Sequence, residues 1–237
     1  MYKKEIRVID KTVYIIENFI SESTSDFLSK VFDNELTTLP TNQYIKMGPS
    51  SGPINPINFI DNYKLDKDYN IGLDLLNNIS VSIAKTLSLT YNKDFSIKTT
   101  FYSAMYENGN NDLHMDNYYI SLDNKLKRRL TQGADWSALL YFNENYDGGN
   151  ITFPYQNLKL KPKKGTLIFF EGNENVPHEV LKVTGGERKN LICFLTLTKD
   201  LDKKIQKPES EPEVKLTMKM LEDEDFMNNL LLSYELD

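Results

Sequence analysis

The period of the apolar residues changes at Phe95, and that change limits the folds open to the chain. Before it, Tyr69, Leu73, Leu76, Ile79, Ile83 and Leu87 recur at spacings of three and four, marking an amphipathic helix that starts near Asp66 or Asp68. An earlier helix is expected to open at Ser23, with Asp26 three positions on as its capping partner, and to run to about Leu36. After Phe95 the apolar residues come in short runs: Phe95–Met105, Ser137–Phe142, Ile151–Phe153, Thr166–Phe170 and Leu191–Leu197. Gly-rich turns separate them, notably Asp147-Gly148-Gly149 and Gly185-Gly186. Runs this short, bounded by such turns, read as strands, and their succession suggests a sandwich or jelly roll. The fold class expected is α+β: a double-stranded β-helix (jelly roll) core with bracing N-terminal helices.

At 237 residues the chain is long enough for one domain with a sizeable core. Residues 1–200 are expected to form it, with the jelly-roll core at about 95–198. A further strand is expected at Val8–Phe19, and the Pro-punctuated stretch Pro40–Ile60 reads as a loop. Residues 201–237 carry ten acids and five lysines, so most of the net charge of −6 lies there. Prolines 208 and 212 and the absence of any motif suggest an acidic C-terminal tail outside the catalytic core, ending in a short helix from Leu216 to Tyr234.

The rest of the chain is close to neutral, which argues against a nonspecific grip on nucleic acid. No window approaches the 18 apolar residues of a membrane span. The start, Met1 to Asp10, lacks the apolar stretch of a signal peptide. One cysteine, Cys193, allows no intramolecular disulfide. Together these point to a reducing, cytoplasmic setting.

The chain has only two histidines, in His114-Met115-Asp116 and Pro177-His178-Glu179. On a strand, side chains two apart face the same way, so His114 and Asp116 can grip one metal ion. His178 is the only histidine left to complete the set. Two imidazoles and one carboxylate on one face of an octahedron leave three positions open, the arrangement of non-haem iron(II) oxygenases. Arg188, ten residues beyond His178 and just after the Gly-Gly turn, could fork onto a carboxylate.

Four segments, in order, resemble the prolyl 4-hydroxylase-like branch of the 2-oxoglutarate/Fe(II)-dependent dioxygenases: MYENGNNDLHMDN, SALLYFNENYDGGNITFP, PKKGTLIFFEGNENVPHEV and GGERKNLICFLT. The opening VIDKTVYIIENFISES resembles that family more weakly. The resemblance covers a little under half of the chain. It implies Fe(II) held by His114, Asp116 and His178 as the metal-binding and catalytic residues, with 2-oxoglutarate and O2 as cosubstrates and ascorbate as a reductant. It puts Arg188 against the distal carboxylate of 2-oxoglutarate, Tyr141 with its hydroxyl on the same carboxylate, and Tyr106 facing the cosubstrate. Core packing is an equally good account of either tyrosine. One position departs from the pattern: where the family often has a carboxylate-binding threonine, this chain has Ile192, and Asn190 lies on the same strand face.

The carboxylate of Asp116 implies hydroxylation of an unactivated C–H bond rather than halogenation, with release of succinate and CO2. Peptidyl proline is the substrate class the resemblance favours, and a free amino acid or other small metabolite is the alternative. Demethylation of nucleic acids is disfavoured, because that branch usually carries a second arginine where this chain has Phe194. A non-catalytic jelly roll holding a metal is the reading from another class, although closed structural zinc sites use four ligands. The substrate rim is expected from the loop Pro40–Ile60 and from Asn117–Asp135, which carries Lys125, Lys127, Arg128 and Arg129.

Overall fold

A computed structural model of the chain describes residues 5–38, 51–54, 67–128, 135–200 and 213–232. Strands β1 (Ile6–Ile9) and β2 (Val13–Ile16) form a hairpin, followed by helix α1 (Glu22–Thr38), strand β3 (Ser51–Ile54) and helix α2 (Lys67–Tyr91). The strand-rich part runs β4 (Phe95–Met105), β5 (Asn111–His114), β6 (Tyr118–Ser121), β7 (Leu126–Arg128), β8 (Trp136–Tyr141) and β9 (Asp147–Gly148). It continues with β10 (Ile151–Phe153), β11 (Leu158–Leu160), β12 (Leu167–Glu171), β13 (His178–Val180), β14 (Val183–Gly185) and β15 (Arg188–Leu197). Strand β16 (Glu213–Val214) and helices α3 (Met218–Glu222) and α4 (Glu224–Leu232) follow.

A large sheet in the order β1-β2-β12-β8-β15-β4-β3 faces a small one in the order β11-β10-β13-β5, the two layers of a jelly roll. Every residue of β8 is buried, because one face of the large sheet meets the helices and the other meets the small sheet. The helix-side core joins Leu28, Val31 and Phe32 of α1 and Leu73, Leu76, Ile83 and Leu87 of α2 to Leu140, Phe169 and Leu191 of the large sheet. The inner core joins Leu139, Tyr141, Ile168 and Phe170 to Ile151 and Phe153 of the small sheet. Burial of each such side chain stabilises by roughly 1.5–3 kcal/mol relative to exposure. The two helices thus brace the large sheet from outside, as the periodicity suggests.

Three local expectations are corrected. The stretch Val8–Phe19 is not one strand, since Asp10 and Lys11 take φ values of 49° and 57° and turn the chain back on itself between β1 and β2. The first helix is capped by Ser21 rather than Ser23: Ser21 Oγ accepts from the Thr24 backbone N–H at 3.1 Å. Asp26 instead meets Lys164 Nζ at 2.8 Å.

The third correction concerns the C-terminal segment. Residues 213–232 do not hang free of the core: Leu216, Leu221, Met227 and Leu230 bury themselves against Leu113, Met115, Ile120 and Leu126. Burial of these apolar residues outweighs the acidic composition, because Glu222, Asp223, Glu224 and Asp225 stay exposed. The helix expected from Leu216 to Tyr234 is two helices. Asp223 separates them and caps the second, its Oδ1 accepting from the Phe226 N–H at 2.9 Å. Residues 39–50, 55–66 and 129–134, which include most of the loop Pro40–Ile60 and Arg129, lie outside the described residues.

Candidate metal centre and cosubstrate pocket

Strands β5 and β13 are neighbours, and their register sets His178 directly opposite His114. Leu113 and Met115 point into the C-terminal apolar cluster, so His114 and Asp116 between and beyond them point the other way. The expectation of one shared face therefore holds. The metal-ligating atoms of His114, Asp116 and His178 all lie within 4.8 Å of one another. Asp116 spans the two imidazoles, with Oδ1 3.4 Å from His114 Nε2 and Oδ2 3.5 Å from His178 Nε2. The ring centroids of the histidines are 4.3 Å apart.

Each imidazole is oriented by its own backbone. His114 Nδ1 donates to the Asp112 carbonyl at 2.6 Å, and His178 Nδ1 donates to the Val176 carbonyl at 3.1 Å. A carbonyl only accepts, so the proton sits on Nδ1 and the Nε2 lone pairs converge on one point. Phe170 meets the His178 ring edge to face at 4.6 Å, and Phe153 packs at 5.7 Å. Burial, with the like charge of His114, pushes the His178 pKa down to about 4 despite the opposing pull of Asp116. His178 is therefore neutral at neutral pH, the form that binds metals. Burial would raise the Asp116 carboxyl, but the imidazoles of His178 and His114 beside it and the hydrogen bond from Ser137 hold it well below the usual carboxylate range.

Two polar residues fix Asp116 that sequence reading did not single out. Ser137 Oγ donates to Asp116 Oδ2. Asn117 anchors the following turn: its N–H donates to the Gly172 carbonyl at 2.8 Å and its Nδ2 to Asp135 Oδ1 at 2.9 Å. The only available signal for Ser137 was a hydroxyl inside the otherwise apolar run WSALLY.

Deeper between the sheets lies a second polar group. Arg188 is 2% exposed, and its guanidinium donates to Tyr141 Oη at 2.7 Å and to Asn190 Oδ1 at 3.0 Å. It also lies 4.9 Å from the Tyr141 ring centroid. Burial raises the Tyr141 phenol, and Arg188 opposes that rise. Tyr146, missed by sequence reading, is buried beside Arg188, where burial and Tyr141 raise its phenol against the pull of the guanidinium. The preceding turn depends on Gly148, whose φ is +66° and whose added Cβ would lie 2.2 Å from the Lys182 carbonyl.

Tyr106 is placed elsewhere than the resemblance implies. It packs, half-buried, on the helix side of the large sheet, away from Arg188 and Tyr141. Met105, opposite Arg188 in the register, takes the inner side, and alternation sends its neighbour outward.

The residues present suit the groups expected. Three ligands on one side leave an open metal, unlike a closed structural site. Arg188 Nε and Asn190 Nδ2 are buried donors with no hydrogen-bond partner. A buried donor left unsatisfied costs about 1–3 kcal/mol, and a carboxylate offers acceptors for both. Asn190 thus puts a polar side chain on the face of Ile192, the position where the family often has threonine, one alternation earlier.

Comparison with known proteins agrees. Residues 101–196 match the family model described as the 2OG-Fe(II) oxygenase superfamily. Prolyl 3-hydroxylase 2 of Mus musculus is 40% identical over 68 residues, which are 27% of this chain and 10% of that protein. The 2-oxoglutarate and iron-dependent oxygenase domain-containing protein 3 of Xenopus tropicalis is 29% identical over 138 residues, 55% of this chain and 42% of that protein. The chain thus spans less than half the length of these curated relatives. A prolyl hydroxylase from Trichoplax adhaerens, solved with a hypoxia inducible factor peptide fragment, shares the fold with a TM-score of 0.58. The identity is 16%, and the match covers 83% of this chain and 89% of that one. The viral collagen prolyl hydroxylase of Paramecium Bursaria Chlorella virus-1, solved with 2-oxoglutarate, gives a TM-score of 0.54 at 17% identity, covering 78% of this chain and 96% of that one. All ligand candidates fall inside the matched segment, so the part of the chain that holds them is similar to the 2OG-Fe(II) oxygenase superfamily.

Proposed function

We propose that the chain is a 2-oxoglutarate- and Fe(II)-dependent hydroxylase of an unactivated C–H bond in peptidyl proline. The observation that carries the reading is the pairing of an open His114–Asp116–His178 set with a buried Arg188 whose neighbouring donors lack an acceptor. Bound iron with 2-oxoglutarate and oxygen supplies the oxidising power, with release of succinate and CO2. The protein supplies position. His114 and His178 present fixed Nε2 lone pairs, and Asp116, held ionised, supplies the balancing charge. Arg188, Tyr141 and Asn190 hold the distal carboxylate by charge-assisted hydrogen bonds. The apolar walls from Ile151, Phe153 and Phe170 keep water from the reacting centre. Peptidyl proline as substrate is supported by the likeness to prolyl hydroxylases, one of them solved with a peptide fragment.

The test is mass spectrometry of a proline-containing peptide library after incubation with protein, Fe(II) and 2-oxoglutarate. One added oxygen on proline, matched by succinate, is the expected result. Succinate without any oxidised peptide would move the substrate to a small metabolite, and no succinate at all would leave a metal-binding module.

A further inference from the structure

Three oxidisable rings pack in a line on the helix side of the large sheet. Trp136, the one tryptophan of the chain, opens β8, Tyr91 closes α2, and Tyr14 lies on β2. The ring centroids of Trp136 and Tyr91 are 5.8 Å apart and those of Tyr91 and Tyr14 5.2 Å, the separations of rings in direct contact. The inner end of the line adjoins the metal set. Trp136 is followed by Ser137, whose Oγ donates to Asp116 Oδ2, so a stretch of covalent bonds and one hydrogen bond join the indole to a metal-ligating carboxylate. The outer end is at the surface, where Tyr14 Oη donates to the Lys11 carbonyl at 3.1 Å in an exposed position.

Packing does not account for the polar atoms of this line. Trp136 Nε1 and Tyr91 Oη are buried without a hydrogen-bond partner among the described residues. A buried polar group left unsatisfied is costly, and phenylalanine would fill the place of Tyr91 without that cost. A redox role is one reason for such a group to persist. The other rings near the metal set are poor electron donors. Phe153 and Phe170, which pack on His178, carry no heteroatom. Tyr141 accepts from the Arg188 guanidinium, so loss of an electron there would set positive charge against positive charge. Beside Trp136 and Tyr91 the charges are of both signs: Lys93 Nζ lies 5.8 Å from the indole centroid, and Glu171 is the register partner of Trp136 and acts on the Tyr91 phenol.

We infer that Trp136, Tyr91 and Tyr14 form an electron-transfer line that carries oxidising equivalents from the metal site to the surface when no substrate is bound. The inference rests on the hydroxylase reading and adds a protective function to it. Bound iron with 2-oxoglutarate and oxygen supplies the oxidant. Trp136 gives one electron toward the site. Tyr91 restores the indole with one electron and passes its phenolic proton to Glu171. Tyr14 gives an electron to Tyr91, which takes its proton back, and Tyr14 releases its own proton to water. A soluble enediol reductant of the ascorbate type returns one electron and one proton to Tyr14. The sum is one electron from the reductant to the metal site and one proton to water.

The experiment uses the full chain with Fe(II), 2-oxoglutarate and oxygen, and no other substrate. Freeze-quenched samples are read by electron paramagnetic resonance, with ring-deuterated tyrosine to identify tyrosyl signals. Digested protein is read by mass spectrometry for added oxygen. The variants are Tyr91→Phe, which removes only the unpartnered hydroxyl, and Trp136→Phe, each checked for its fold by circular dichroism. The wild-type chain is expected to form a tyrosyl radical that ascorbate removes. In Tyr91→Phe that signal should be lost and oxygen should accumulate on Trp136. In Trp136→Phe it should also be lost, with oxygen on residues at the metal, such as Phe170 and His178. Should Trp136→Phe not fold, Tyr91→Phe decides alone. Two results would overturn the inference: a tyrosyl signal that persists in Tyr91→Phe, or a wild-type chain that binds 2-oxoglutarate yet forms no radical and gains no oxygen on these rings. Both leave the dioxygenase reading standing. Failure of 2-oxoglutarate to bind the iron-loaded chain counts against that reading instead, and the inference falls with it.

Discussion

Ser137 donates its hydroxyl to Oδ2 of Asp116, the carboxylate oxygen that also lies 3.5 Å from His178 Nε2. The two residues are 21 positions apart, Ser137 on β8 and Asp116 in the loop that follows β5, so the bond ties the large sheet to that loop. It orients the carboxylate between the two imidazoles. Partners of this kind typically contribute 10–100-fold to metal affinity. Ser137→Ala is therefore expected to weaken Co(II) or Ni(II) binding by about 10-fold or more while leaving the melting temperature within a few degrees. Competition against a chromophoric chelator reads the affinity, and an unchanged value would remove Ser137 from the metal site.

Arg188 reads a carboxylate only if the buried donors around it are waiting for one. Removing one member of a desolvated charge pair typically costs about 2–5 kcal/mol, or roughly 30-fold to a few thousand-fold in affinity. Arg188→Ala should weaken 2-oxoglutarate by that factor and leave Ni(II) affinity unchanged. Arg188→Lys should be milder, because the charge stays while the planar fork is lost. An Asn190→Leu variant should also weaken 2-oxoglutarate, by less. Equal 2-oxoglutarate affinity across all three variants would place the cosubstrate elsewhere.

Burial of the C-terminal helices makes a prediction opposite to that of a free tail. Leu230 is 1% exposed in the cluster that also holds Leu113 and Met115, the residues flanking His114. Leu230→Ala should destabilise the protein by about 2–5 kcal/mol, lowering the melting temperature by roughly 4–20 °C. Deleting residues 213–237 should do more, since it uncovers Leu113, Met115, Ile120 and Leu126 together. Thermal unfolding followed by circular dichroism checks both. Unaltered melting of the deletion would show that the segment is dispensable.

The metal ligands were readable because the chemistry is local and sparse: two histidines, one of them two positions from an acid on a strand. The sheets were readable because short apolar runs between glycine turns have few other solutions. Ser137 was not, since its role depends on which strand crosses behind Asp116, a tertiary fact absent from any local pattern. Tyr106 was misplaced because motif position alone does not say which way alternation turns a side chain after the last paired residue, Met105. The tail is acidic over its whole length, whereas the burial of Leu216, Leu221, Met227 and Leu230 in one cluster is set by two short helices folding onto Leu113, Met115, Ile120 and Leu126, which no single period in the sequence marks. The break at Asp10–Lys11 was hidden for another reason: a turn built on two non-glycine residues with positive φ carries little sequence signal.

The most direct measurement is anaerobic titration of 2-oxoglutarate into the Fe(II)-loaded chain, followed by the metal-to-ligand charge-transfer band. If His114, Asp116 and His178 hold the iron and Arg188 holds the far end of the cosubstrate, the wild-type chain develops the band and saturates at one equivalent. His178→Ala should then show no band at any concentration while keeping its fold by circular dichroism. A full band in His178→Ala, or none in the wild-type protein with iron demonstrably bound, would contradict the assignment of the site.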